Sequence, residues 1–228
     1  ACVFPVAEGM VVWTHTDKVQ KARRFSLEML LSAHPQECLT CVRNRSCELQ
    51  RLAEEFGISE IRFQGEKPNR HIDDSTPSIR RDSGKCILCR RCVAVCQEIQ
   101  GVGALYAQER GFDSYIGPPF GDPLNEVACA LCGQCINVCP TGALTEKDYI
   151  QDVWAAIHDP QKVVIAQDAP AVRAALGEEF GLPAGTLVTG KMLEALRRLG
   201  FDVVFDTNFG ADLTIIEEGN ELLKRIRE

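Results

Sequence analysis

The chain has 228 residues, 45% of them apolar and 25% charged, with 25 basic against 32 acidic side chains and a formal net charge of −7. That length suits one or two ordinary domains, and the acidic balance leaves no basic footprint for nucleic acid. No apolar run approaches the ~18 residues of a membrane-spanning helix, and no basic–apolar–small leader stands out, so no membrane span is expected. Twelve cysteines in such a chain point to a reducing compartment, the cytoplasm, where thiols stay available for metal.

The sequence opens Ala1-Cys2 without Met and closes at Arg227-Glu228 inside a helical pattern, which reads as an internal piece of something longer. Glu8-Gly9 is expected as a turn and Met10–Trp13 as a strand. Cys2 has no cysteine near it, and on the residues alone it is a small buried hydrophobe. From Asp17 to Ala33, Val19, Ala22, Ser26/Leu27, Met29/Leu30 and Ala33 recur at helical spacing. Lys18, Lys21, Arg23 and Arg24 form that helix's solvated face.

His34, Cys38, Cys41 and Cys47 follow at once as H-x3-C-x2-C-x5-C. Three thiols and an imidazole so close in sequence can surround one small metal site. Taken alone, the set favours structural zinc. The cysteine-rich stretch that comes next tips the reading to a 4Fe–4S cluster with one His ligand, in which a neutral ring replaces a charged thiolate. Behind it, Leu49, Leu52, Ala53 and Phe56 mark a packing helix closed by Gly57. Residues 58–85 are turn-rich and charged and read as a connector, with His71, like His15, an ordinary polar residue.

The strongest pattern is a pair of matched runs, Cys86-Cys89-Cys92-Cys96 and Cys129-Cys132-Cys135-Cys139, each spaced C-x2-C-x2-C-x3-C and the second followed by Pro140. This is the bacterial two-cluster ferredoxin run, in which the fourth cysteine serves the other cluster. One 4Fe–4S cluster then takes Cys86, Cys89, Cys92 and Cys139, and the other takes Cys129, Cys132, Cys135 and Cys96. The spacing is not that of a zinc ribbon, and disulfides belong to small secreted scaffolds. Between the runs, Gly101–Gly111 is expected as a β-hairpin and GPPFGDP (117–123) as a loop.

After Pro140 the cysteines stop. Thr145-x-x-Asp148 reads as a capping box opening a helix to about His158. Val163–Ala166 reads as a buried parallel strand, and Pro170 as the first residue of a helix over Ala171–Phe180. A helix over Gly190–Leu199, a strand at Val203–Phe205 and a helix from about Ala211 to the end complete an α/β arrangement. No G-x-G-x-x-G fingerprint or P-loop occurs here.

The order of these motifs, with the stretches AQDAPAVRAALGEEFG and GKMLEALRRLGFDVVFDTNFGADLTIIEEGNELLKRI, resembles the large catalytic subunit of the modular FeFe (iron-only) hydrogenases. The resemblance covers essentially the whole chain. It implies an α+β multi-domain protein: the tail of a 2Fe–2S ferredoxin-like domain with a linking helix (1–33), a His-ligated 4Fe–4S domain (34–72), a two-cluster ferredoxin-like domain (73–144) and the first part of an α/β H-cluster domain (145–228). Cys2 would be the last ligand of the 2Fe–2S cluster, its other ligands lying upstream. Three 4Fe–4S clusters would form an electron wire, while the 2Fe–2S cluster and the H-cluster would belong only to the full-length protein.

By the same resemblance Ala169, Pro170 and Ala171 surround the H-cluster, with Ala171 standing where some members carry Ser. Glu218 and Glu221 match carboxylates of the proton path. On the residues alone they are an exposed acidic face. The family's TSC-, MPC- and C-x3-C-type motifs are missing from these 228 residues, so this piece alone is not expected to turn over hydrogen. The implied electron partner is ferredoxin or an NADH-oxidising flavoprotein subunit, in a possible hetero-oligomer. Rival readings are the iron–sulfur large subunit of an NADH–quinone oxidoreductase or formate dehydrogenase, and a stand-alone electron-transfer protein.

Overall fold

The computed structural model describes residues 4–64 and 66–228. It divides into two compact units, Ala1–Lys147 and Asp148–Glu228.

The first unit begins with α1 (Asp17–Ala33), where the Thr16 hydroxyl accepts from the Val19 N–H to cap the first turn. Pro35 disfavours helical geometry at the residue before it, and His34 is accordingly extended (φ −86°, ψ 142°), ending the helix. Buried within α1, Glu28 accepts from Arg24 Nε and Arg62 Nε, both at 3.0 Å. Arg24 also donates to the Phe56 carbonyl (2.9 Å), which ties α1 to the end of α2 (Glu48–Glu55). Gly57, at φ 60°, takes the left-handed conformation that closes α2.

Residues 58–85 hold more order than a connector. Strands β1 (Ile72–Asp73) and β2 (Ile79–Asp82) pair antiparallel inside this stretch. Helices α3 (Arg91–Ala94) and α4 (Gln134–Asn137) each form within one cysteine run, and a single π turn at Val95–Ile99 extends α3. Strands β3 (Tyr106–Gln108) and β4 (Tyr115–Gly117) form the expected hairpin, but its second strand starts beyond Gly111. The loop at GPPFGDP is a tight turn at Pro119–Gly121. Strand β5 (Leu144–Glu146) completes a three-stranded sheet in the order β1-β2-β5.

Sequence periodicity misses β1 and β2 because polar side chains face inward. Arg81 and Asp73 are 4% and 2% exposed and 3.3 Å apart. Arg81 Nη1 donates to the Ile116 carbonyl on β4 (3.0 Å), and Asp73 accepts from Leu124 N–H (3.0 Å). This pair therefore fastens the sheet to the insert between the cysteine runs. Thr76, 1% exposed, both donates to and accepts from the Ile79 backbone at 2.8 and 2.9 Å, which fixes the start of β2.

The second unit opens with α5 (Ile150–Ile157). Thr145 lies in β5 and does not cap it; instead Asp148 accepts from the Ile150 N–H at 2.8 Å. Strands β6 (Ile165–Gln167) and β7 (Val203–Phe205) pair in parallel, with α6 (Pro170–Glu179) and α7 (Thr189–Leu199) between them. Gly200, at φ 108°, closes α7, and an added Cβ would meet Ile157 Cγ2 at 2.8 Å. Helix α8 (Thr207–Arg227) starts four residues before the expected Ala211, because the Asp206 carboxylate accepts from Phe209 N–H (2.9 Å) as an N-cap.

Two further expectations fail here. Residues Met10–Trp13 form no strand: among the described residues nothing pairs with them, and an unpaired strand leaves its backbone groups to water. The strand at Val163–Ala166 is parallel as expected but not buried, with Ile165 59% exposed.

Burial works to raise the Asp73 carboxyl, yet hydrogen bonds from Ser75 and Leu124 and the Arg81 charge hold it below the usual range. A depressed pKa means that its stabilisation is present at neutral pH and is lost as pH falls through that pKa. Asp73→Ala, which strands the buried Arg81, is expected to cost ~3–5 kcal/mol. The check is the denaturant midpoint of wild type and variant, which should converge in acid.

Candidate metal centres

Both cysteine runs adopt the same backbone. Leu88 (φ 56°) and Arg90 (φ 61°) in the first match Leu131 (φ 52°) and Gly133 (φ 72°) in the second, all left-handed. Alternation of left- and right-handed residues turns successive N–H groups inward into a concavity that receives anions, including iron–sulfur cores. Three of the four positions are not glycine and each costs about 1–2 kcal/mol. The loops then run into α3 and α4, whose first turns carry Cys92 and Cys135.

Cys86, Cys89, Cys92 and Cys139 line one cavity, floored by Leu105, Ile116 and Leu144. Cys139 of the later run thus lies beside three cysteines of the earlier one. Electrostatics give the same partition. Burial pushes the Cys92 thiol up to about 12, helped by Cys86, Cys139 and Cys89. Burial likewise pushes Cys135 up to about 11, helped by Cys129, Cys132 and Cys96. Helices α3 and α4 pack on each other, and Cys135 is also felt at Cys92, so the two sets adjoin.

Backbone donors already point at sulfur. Leu88 N–H reaches Cys86 Sγ at 3.4 Å, and Ala104 N–H reaches Cys96 Sγ at 3.2 Å. Cys96 sits in the π turn, and its carbonyl accepts from Val102 and Gly103 N–H (3.0 and 3.1 Å), folding the chain back over it.

The His34 set is assembled from element ends. His34 caps α1, Cys38 opens a 3₁₀ turn at Cys38–Thr40, Cys41 closes that turn, and Cys47 is the N-cap of α2. All four line one cavity together with Arg43, Lys85 and Gly142. Burial, then the Lys85 charge, holds His34 below the usual imidazole range. Its Nδ1 is buried with no hydrogen-bond partner, and a neutral ring with an unused nitrogen is what a metal ligand requires. Cys47 Sγ lies 3.6 Å from the Pro140 carbonyl, next to Cys139, so this cavity adjoins the Cys86 cavity.

Zinc and iron–sulfur demand different spacings. Zn–S bonds of ≈2.3 Å bring tetrahedral sulfurs to roughly 3.8 Å from one another. Among the described residues no three His, Cys, Asp or Glu side chains converge closely enough for a single ion.

The remaining expected site residues are placed as follows. Ala169, Pro170 and Ala171 form the exposed start of α6, with Ala169 as its N-cap. Glu218 and Glu221 lie three residues apart on exposed α8, and Glu221 pairs with Arg225. Cys2 lies outside the described residues. Sequence reasoning passed over Lys85, which donates to Cys41 Sγ at 3.7 Å, and Arg43, which donates to the Cys139 carbonyl at 3.1 Å. A lone basic residue beside a cysteine in sequence gives no signal of such contacts.

Residues 23–62 match the NADH-ubiquinone oxidoreductase-G iron-sulfur binding region, and residues 76–145 match the ferredoxin-like domain of NADH-quinone oxidoreductase subunit 3. Residues 162–228 match the iron only hydrogenase large subunit, C-terminal domain. These assignments define an iron–sulfur protein with ferredoxin-like 4Fe–4S domains. The chain is 53% identical to NADP-reducing hydrogenase subunit HndD of Solidesulfovibrio fructosivorans, over 99% of this chain and 39% of that protein. It is 37% identical to iron hydrogenase 1 of Clostridium pasteurianum, over 99% of this chain and 40% of that one. The NADH-ubiquinone oxidoreductase 75 kDa subunit of Reclinomonas americana is 36% identical, but over only 65% of this chain and 21% of that protein. A crystal structure of an NAD+-reducing [NiFe]-hydrogenase in the H2-reduced state superposes with a TM-score of 0.59 at 32% identity, covering 64% of this chain and 62% of that one.

The matches support an iron-only hydrogenase-type fragment, with the H-cluster cysteine motifs absent from these 228 residues. The chain spans about two fifths of the length of the hydrogenases it matches.

A raised thiol pKa favours the protonated folded state, so in metal-free protein this stabilisation is present below the ordinary 9.0 and lost as pH rises toward about 12 at Cys92 and about 11 at Cys135. Alkylation of metal-free protein at pH 8 should modify the exposed Cys38, Cys89 and Cys132 first and the buried Cys92 and Cys135 last. Mass mapping of the labelled peptides reads the order.

Proposed function

We propose that this chain is the electron-relay region, with the first part of the catalytic domain, of an iron-only hydrogenase that interconverts protons and electrons with hydrogen. The observation that carries this reading is the reach of the similarities. Hydrogenases align over 99% of the chain, whereas the ubiquinone-oxidoreductase relative aligns over 65%, consistent with their sharing only the cluster region. That difference disfavours the quinone-oxidoreductase reading, and the match of residues 162–228 disfavours a stand-alone carrier.

In this reading Cys86, Cys89, Cys92 and Cys139 hold one 4Fe–4S cluster, Cys129, Cys132, Cys135 and Cys96 a second, and His34, Cys38, Cys41 and Cys47 a third. Such clusters, when bound, supply one-electron carriers. The protein's part is to exclude water and to aim charge and N–H groups at sulfur. Leu105, Ile116 and Leu144 dry the Cys86 cavity. The Leu88 and Ala104 amides donate to Cys86 and Cys96, and hydrogen bonds to sulfur are one of the levers on cluster potential. His34 replaces a charged ligand by a neutral one, which favours the reduced, more negative state.

Ala169–Ala171 would border the H-cluster of the complete protein, and Glu218 and Glu221 would carry protons toward it. Cys2 would complete an upstream 2Fe–2S site. Electrons would come from ferredoxin or an NADH-oxidising flavoprotein subunit, in a cytoplasmic hetero-oligomer. Among the described residues no helix is long and apolar enough to cross a membrane.

Reconstituted protein should hold about twelve irons, four per cluster. About eight irons with one zinc would replace the His34 cluster by a structural zinc. His34→Cys should keep the iron and lower the potential of one cluster in a redox titration, and an unchanged potential would remove His34 from the ligand set. The reading frame that contains this segment should continue past Glu228 into TSC-type and further cysteine motifs; a molybdopterin-type domain there would sink the hydrogenase reading.

A further inference from the structure

Lys85 occupies the boundary between the His34 and Cys86 cavities. Its side chain is 15% exposed, and its ammonium donates to Cys41 Sγ at 3.7 Å. Its own carbonyl accepts from the Thr141 hydroxyl at 2.7 Å, which pins it to the loop after Cys139. Gly142 makes the approach possible: a Cβ there would lie 3.0 Å from Cys41 Sγ and 3.5 Å from Lys85 Cδ.

The nearest counter-charge is otherwise engaged. Asp82 lies 4.0 Å from the ammonium, but it accepts from Arg70 at 3.1 and 2.8 Å and from Gly84 N–H at 3.1 Å. Cys41 is therefore the closest hydrogen-bonding partner that the structure gives the Lys85 head group.

We propose that Lys85 sets the reduction potential of the His34 site by placing a half-buried positive charge against Cys41. This rests on reading that site as a 4Fe–4S cluster. Reduction adds one electron and no proton to the cluster, so its net negative charge grows by one. A fixed cation beside a thiolate ligand stabilises the reduced form over the oxidised one, and screening is weak at this depth. Together with the neutral His34 ligand, it makes this site easier to reduce than it would be without the charge. Lys85 is a positioning residue in electrostatic terms and not a ligand.

The test is a dithionite potentiometric titration followed by EPR on the full-length, iron-loaded protein, comparing wild type, Lys85→Met and Lys85→Arg. The His34→Cys variant identifies which signal belongs to this site. Lys85→Met keeps most of the stem that packs on Gly142 and removes the charge. It should lower that midpoint by about a tenfold change in the one-electron equilibrium, ~59 mV, while Lys85→Arg stays near wild type. An unchanged midpoint in Lys85→Met at full iron content overturns the proposal, as does an equal drop in Lys85→Arg, which would mark a packing effect. Wild-type protein with about four irons fewer than its full cluster complement and one zinc in their place would overturn the cluster reading itself, and is seen from metal content before any titration.

Discussion

Desolvation of cysteine sulfur is the constraint on which the rest of the first unit depends. Cys92, Cys135 and Cys139 sit in the hydrophobic core with Ile79, Leu105 and Ile136 rather than at its rim. Neutral thiols are tolerated there, as the raised Cys92 and Cys135 values show, but thiolates are not unless something positive meets them. In the proposed reading a metal core is that partner, and its binding would be coupled to folding. The left-handed residues at Leu88, Arg90 and Leu131 fit the same account in the backbone, because such turns form concavities of N–H groups that suit an anionic group.

Sequence separation gives the pairing its structural weight. Cys139 joins a set whose other members lie in the earlier run, and Cys96 joins the later one. Each run is therefore anchored by the other, and α3 and α4 are held together between them. The insert between the runs is fixed to this assembly through the buried Arg81–Asp73 pair and through Ala104, Leu105, Ile116 and Leu124, which enter the same hydrophobic core. The His34 site is attached by a different device, hydrogen bonds from Glu48 N–H to the Pro140 carbonyl (2.9 Å) and from Arg43 to the Cys139 carbonyl.

Spacing made the cysteines legible, because C-x2-C-x2-C-x3-C leaves few geometries for a chain to adopt. Helices with apolar periodicity and terminal glycines, such as α1, α2 and α7, are where the pattern puts them. Strands β1 and β2 were not legible, since their buried faces carry Arg81, Asp82 and Asp73, whose burial is made tolerable by partners distant in sequence. Thr145-x-x-Asp148 misled because a short strand competed for Thr145 and won through pairing with Arg80. Met10–Trp13 had β propensity and nothing among the described residues to pair with. The Lys85–Cys41 contact could not be read at all, because it joins residues far apart in the chain.

The central claim is the crossed assignment, in which Cys139 serves the cavity of Cys86, Cys89 and Cys92. Iron content of the triple variant Cys86→Ser, Cys89→Ser, Cys139→Ser tests it most directly. If all three belong to one site, a single cluster is lost and about eight irons remain of about twelve. If Cys139 serves its own run, two sites are damaged and only about four irons remain, which would contradict the crossed arrangement.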